Sequence, residues 1–235
     1  MSTLTGIHAQ LPLAIEARDS NSFETLVAGD NELAVGIARQ CAQMQGEKQI
    51  LLWAESGFGK SHILQACCQL AASQQRSVCY LPAREIRHGD SHALEGLEQL
   101  DLVCLDDADA LMGRRDRELA LFDLINRCRE QGACLVLSTT LAPEQWPIGL
   151  PDLASRLQWG PVFQLKPLSD EKKIVALQLR ANQRGLVLPD NVARYLLTHF
   201  PRDLFTLFER LDELDKASLA MQRRLTIPFI KSVFQ

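Results

Sequence analysis

The chain has 235 residues, 46% of them hydrophobic, enough to bury a sizeable core in one or two domains. Its formal net charge is −4 and neither half is strongly basic, which argues against a protein that lives by gripping nucleic-acid backbone. No apolar run reaches the roughly 18 residues of a membrane span, and no basic-then-apolar leader opens the chain, so no membrane association and a cytoplasmic location are expected.

Residues 1–22 carry little periodicity and read as a flexible tail around one apolar knot, Gln10-Leu11-Pro12-Leu13-Ala14-Ile15. From Phe23 the pattern becomes regular. Asp30-Asn31-Glu32 reads as the cap of a helix with Leu33, Ile37 and Cys41 on one face. Apolar runs then alternate with amphipathic segments. Strands are predicted at Gln49–Trp53, Ser77–Leu81, Leu102–Leu105, Cys134–Leu137 and Val162–Leu165, and helices at Lys60–Ser73, His92–Gln99 and Arg117–Glu130. Strands that are apolar throughout and separated by helices predict a parallel sheet covered on both faces. After Pro167 only helices are predicted, at Ser169–Arg184, Asp190–His199 and Arg202–Met221, with a short one from Pro228 to Phe234. The expected fold is therefore α/β, a five-stranded parallel sheet domain over residues 23–166 followed by a small all-α lid over 167–235. The 7 cysteines include no CxxC pair; Cys67 and Cys68 fall on a helix and Cys79, Cys104 and Cys134 on strands, so they read as reduced, buried thiols.

One segment carries chemistry. Leu51-Leu52-Trp53-Ala54-Glu55-Ser56-Gly57-Phe58-Gly59-Lys60-Ser61-His62 reads as strand, tight loop and helix. Gly57 and Gly59 let the backbone turn its N–H groups inward, Lys60 suits β- and γ-phosphates, and the Ser61 hydroxyl suits Mg²⁺. The helix that follows favours an anion at its N-terminus. Ala54 stands where this phosphate-binding pattern has its first glycine, which is tolerable at negative φ. Ser56, Gly57, Phe58, Gly59, Lys60, Ser61 and His62 are thus candidate nucleotide contacts, with Val27 assigned to the same site. The apolar strand Leu102–Leu105 delivers a second element, Asp106-Asp107. Asp106 is expected to hold Mg²⁺ through water and Asp107 to polarise an attacking water.

The order of these elements resembles the AAA+ domain of the bacterial replication initiator DnaA, from about Phe23 onward. The phosphate loop and the acidic strand end are followed by Ser138-Thr139-Thr140, by Ser155-Arg156-Leu157-Gln158-Trp159-Gly160, and by Pro201-Arg202-Asp203-Leu204. The resemblance implies that Thr140 is a γ-phosphate sensor, although the family usually carries Asp there. It makes Arg202 a second sensor on the lid, and Arg156 an arginine finger acting on a neighbour's nucleotide from the loop between Leu153 and Trp159. Initiators carry an extra single-stranded-DNA element where this chain has only Pro82–Leu100. No helix-turn-helix domain is expected after the lid, so strong direct DNA binding is not expected. Gln10, Leu11 and Leu13 resemble the peptide that docks on the bacterial sliding clamp, the β subunit of DNA polymerase III. The combination implies a regulator within this family, with ADP or another nucleoside di- or triphosphate as its ligand, the clamp and DnaA as partners, and stimulation of DnaA-bound ATP hydrolysis as its action. Two other readings stay open: a loader factor hydrolysing its own ATP, and an adaptor plugged by nucleotide. Self-association into a homo-oligomer is also left open.

Overall fold

The computed structural model describes residues 21–86 and 93–234. The tail motif Gln10–Leu13 lies outside these residues. In chain order the elements are α1 (Glu32–Ala42), β1 (Gln49–Trp53), α2 (Lys60–Ser73), β2 (Val78–Pro82), β3 (Leu102–Asp106), α3 (Arg115–Gln131), β4 (Cys134–Thr139), α4 (Pro151–Leu157) and β5 (Val162–Gln164). Then come α5 (Asp170–Gln183), α6 (Asp190–His199), α7 (Leu204–Met221) and α8 (Ile227–Phe234).

The five strands pair in parallel in the order β2-β3-β4-β1-β5. Their residues are apolar on both sides because both sides are covered. Leu51, Val103, Leu105, Leu135 and Leu137 face a core shared with Leu121, Leu124 and Ile125 of α3 and Leu153 and Leu157 of α4. Ile50, Leu52, Cys104, Cys134 and Val136 face the other core, with Ala38 and Cys41 of α1 and Ile63, Leu64 and Cys67 of α2. A third core is built by α5 to α8 around Leu177, Leu196, Leu207, Leu211 and Phe229. Ser169 and Asp203 cap α5 and α7 by accepting from the backbone N–H of Lys172 and Thr206.

Several expectations change. Leu33 is 70% exposed, and α1 buries Ala34, Ala38, Cys41 and Ala42 instead. Small residues let α1 lie close against α2 and the sheet, so the packed stripe is not the bulkiest one. Asn31 does not cap α1 with its side chain. Its amide donates to the Lys166 carbonyl at 2.9 Å and accepts from the Lys166 N–H at 2.7 Å, clamping the chain just past β5. In place of the helix expected at His92–Gln99, the described residues hold turns and a 3-10 turn at Leu97–Gln99. Arg156 lies on helix α4 and not in a loop. Pro151 at the helix start, where a missing N–H costs nothing, is the signal that was there to be used.

Gly160 is fixed by close approach. A Cβ there would lie 1.8 Å from the Gln49 carbonyl oxygen, backbone that cannot swing aside. The contact brings β5 alongside β1, where Leu51 donates its N–H to Pro161 at 3.0 Å. Gly160→Ala should destabilise the fold by about 2 kcal/mol or more. A thermal melt should show this as a lower Tm; an unchanged Tm would mean that the Gln49–Gly160 approach is not tight in solution.

Candidate functional site

The site forms where the C-terminal ends of β1, β3 and β4 meet the lid. Past Trp53 the chain turns through Gly57 at φ +85° and Gly59 at φ +91°, both left-handed conformations that side chains resist. Ala54 is not among the residues at positive φ, so it meets the condition set for it. The loop delivers Lys60 as the first residue of α2, 5% exposed, with its ammonium donating to the Ala54 carbonyl at 2.6 Å and the Glu55 carbonyl at 3.0 Å. Burial pulls the Lys60 pKa down, while Asp107, Asp106 and Asp109 hold it up.

The acidic end of β3 is tied by neighbours from both flanking strands. Asp106 accepts from the Tyr80 hydroxyl at 2.7 Å and from the buried Ser138 hydroxyl. The Ser138 oxygen in turn accepts the Asp107 N–H at 2.8 Å. That bond holds Asp107 at φ +52°, an uncommon conformation for a residue with a side chain. Burial and the Asp106 charge raise the Asp107 pKa, opposed by Arg84 and Lys60. Arg84 pairs with Asp107 at 2.8 Å and donates to Thr140 at 3.4 Å, so one guanidinium joins the second acid of the pair to the expected sensor. Burial and then the Asp106 charge raise the Tyr80 pKa, so the phenol stays a donor.

The lid faces this loop. Val27, Ser56, Phe58 and Arg202 line one cleft together with Lys173 and Phe208. Lys60, Ser61, Asp107 and Thr140 line the adjoining one with Arg180. Asp203 approaches Gly57 closely enough that a Cβ on the glycine would lie 3.7 Å from it. Arg202 pairs with Asp170 at 3.3 Å across an exposed surface. Just before α1, Asn21 bridges the two halves, donating to Gln65 at 2.5 Å and accepting from Arg180 at 3.3 Å. His62 sits beside it, 3.1 Å from the Ser22 carbonyl and 3.3 Å from the Thr25 hydroxyl.

Arg156 is elsewhere. The Gln49 amide donates to the carbonyls of Arg156 at 2.7 Å and Leu157 at 3.2 Å, which ties α4 to the first residue of β1. The phosphate loop follows the last residue of the same strand, about 13 Å further along at the usual rise. Its guanidinium lies 3.9 Å from the centroid of the Trp159 ring.

This arrangement can be compared with known proteins. The bacterial DnaA ATPase domain family matches residues 17–164. The chain belongs to that family. The Hda lid domain matches residues 170–234, so this is an Hda-like, DnaA-related AAA+ protein. Among solved structures, domain III of the Thermotoga maritima replication initiation protein DnaA is 19% identical, with a TM-score of 0.80 over 95% of this chain and 98% of that one. AMPPCP-bound DnaA from Aquifex aeolicus is 20% identical, with a TM-score of 0.70 over 85% and 66%. The Thermotoga maritima RuvB Holliday junction branch migration motor is 15% identical, with a TM-score of 0.67 over 91% and 70%. The RuvB likeness extends the shared AAA+ fold beyond the initiator.

Within this DnaA-family chain, sequence reasoning brought the loop, Val27, the acidic pair, Thr140 and Arg202 to one place. It missed Tyr80, Arg84, Ser138, Arg180 and Asn21. Ser138 had a signal, being a hydroxyl at the end of an otherwise apolar strand beside an acidic one. The others depend on strand order and on where the lid lands. No helix among the described residues is long and apolar enough to cross a membrane.

Burial pushes the His62 imidazole from 6.5 down to about 4, with the Ser22 carbonyl opposing and Arg180 adding to the fall. Protonation therefore favours the unfolded chain, whose histidine titrates near 6.5. Stability present above pH ~6.5 should be lost as the pH falls toward ~4. His62→Gln should flatten the Tm against pH curve across that window. Parallel curves for the two proteins would show that His62 is not held neutral.

Proposed function

We propose that this chain binds ADP with Mg²⁺ and regulates replication initiation by stimulating hydrolysis of ATP held by DnaA. The nucleotide reading is supported by the cradle. Gly57 and Gly59 present no Cβ to a phosphate, and Lys60 supplies a cation whose hydrogen bonds, among the described residues, go to two neutral carbonyls. Ser56, Gly57, Gly59, Lys60 and Ser61 hold the phosphates; Val27, Phe58 and His62 enclose the rest of the nucleotide. Ser61 and Asp106 hold the cation, Asp106 through water, and Thr140 and Arg202 respond to the terminal phosphate. Binding closes the sheet domain, 23–166, on the lid, 167–235. The DnaA of the similar Aquifex structure is AMPPCP-bound, in accord with this reading.

The observation that carries the regulatory reading is the state of Arg156. Among the described residues it makes no ion pair and no side-chain hydrogen bond, and it sits at the opposite end of β1 from its own phosphate loop. A guanidinium placed so serves a second molecule. Supplied in trans, it stabilises charge on a transferring phosphoryl group and is worth ~10³–10⁵ in rate. Asp107, the group that would activate water for the chain's own ATP, is instead paired with Arg84. That pairing favours an activator over an ATPase in its own right. The tail completes the proposal, with Gln10, Leu11 and Leu13 docking on the sliding clamp.

Two experiments test this. Hydrolysis of DnaA-bound ATP should rise when the chain is added with clamp loaded on DNA. Arg156→Ala should abolish the rise while leaving ADP and clamp binding near normal, and deletion of residues 1–15 should abolish clamp binding. Loss of ADP binding in Arg156→Ala would place the arginine in cis and end the proposal. Separately, Lys60→Ala should fold and weaken ADP binding at least tenfold by calorimetry, since it removes a charge-assisted contact. Unchanged affinity in a folded variant would exclude this loop as the phosphate site.

A further inference from the structure

Among the described residues the Arg156 guanidinium has no ion-pair partner and lies over two aromatic rings. It lies 3.9 Å from the Trp159 ring centroid and 5.5 Å from that of Phe122, and its Nε is buried with no hydrogen-bond partner. A second guanidinium, Arg129 of α3, lies 4.1 Å from the same Trp159 centroid. Arg129 likewise makes no ion pair among the described residues. By contrast Arg84, Arg127, Arg184, Arg194 and Arg202 are each paired with a carboxylate.

We propose that Trp159 is the positioning residue of the arginine finger, holding the Arg156 guanidinium by its ring face so that the charge and the N–H fork stay available to a partner's phosphate. The inference rests on the proposed role of Arg156. A group that must meet a transferring phosphoryl group has two conflicting needs. It must be ordered beforehand, because ordering at the moment of reaction costs rate. It must also keep its charge and donors, and a carboxylate would take both. Stacking on an indole meets both needs, since the ring attracts the cation through its quadrupole, orders the guanidinium, and occupies no donor. Arg129 contributes a like charge on the same ring, so the local field stays positive and an approaching anion is favoured. The ring is itself held in place: it packs against the core under α3 and α4, one residue before the Gly160–Gln49 approach.

The test compares Trp159→Leu, Trp159→Phe and wild type in the full chain. Trp159→Leu should lower the maximal stimulated rate of DnaA-bound ATP hydrolysis about tenfold, the equivalent of one strong cation–π contact. The concentration giving half-maximal stimulation should change less than about twofold, because docking is not what the ring supplies. Trp159→Phe, which keeps a ring with a weaker quadrupole, should fall between. A rate loss appearing wholly in the half-maximal concentration would overturn the proposal. An independent reading needs no partner: the Arg156 Nε–H resonance of the isolated chain should carry a ring-current shift that Trp159→Leu removes and Trp159→Phe partly keeps. If wild type stimulates nothing, the proposed function fails, and the resonance still decides whether Trp159 orders Arg156. An Arg156 resonance indifferent to both substitutions would overturn that ordering.

Discussion

Strand β1 is held between β4 and β5, and its two ends set the phosphate loop and Arg156 apart. At its first residue, Gln49 grips the carbonyls of Arg156 and Leu157 through its side chain and lies against Gly160 through its backbone. At its last, Trp53 hands the chain to the loop that presents Lys60. A buried parallel strand cannot shift register without moving Ile50, Leu51 and Leu52, each fully buried, to the wrong face. The cation at the phosphate loop and the cation at Arg156 are therefore kept apart by the core. Rigid separation is what a chain needs if one cation serves its own nucleotide and the other a neighbour's.

Charge is managed differently at the two ends. At the phosphate loop every group is tied: Lys60 to two carbonyls, Asp106 to Tyr80 and Ser138, Asp107 to Arg84 and the Ser138 oxygen. Mutual satisfaction lets acids and a base sit half-buried without a large desolvation cost. Around Trp159 the opposite holds, with two guanidiniums sharing one ring and, among the described residues, no carboxylate paired with either. The first arrangement answers its charges from within; the second is the one the proposed function offers to another molecule.

The lid connects to the loop through small polar contacts and not through a continuous apolar core. Its own core, around Leu177, Leu207 and Phe229, is separate from the two cores that sandwich the sheet. Asn21 touches both halves, joining Gln65 of α2 to Arg180 of α5. An interface of this kind is cheap to open, which suits a site that must admit a nucleotide.

The sheet, the loop and the acidic strand end were legible in the sequence because each has a local physical cause. Apolar runs between amphipathic helices dictate a doubly covered parallel sheet, and Gly57-Phe58-Gly59 dictates a tight turn between strand and helix. Local reading failed where distant residues compete for a side chain. Asn31, a natural cap, is drawn instead to Lys166, which is 135 positions away. Leu33 lost its place in the packed stripe to Ala34 and Ala38, since close helix approach rewards small residues over large ones. The sequence by itself determined the class of the fold and the turn from Gly57 to Lys60, because both follow from periodicity and from backbone freedom at glycine. Only the tertiary structure decided that Tyr80, Arg84 and Ser138 join the acidic pair, and that Trp159 stacks on Arg156. Those contacts arise from strand order and helix packing between segments far apart in the chain, which no local pattern encodes.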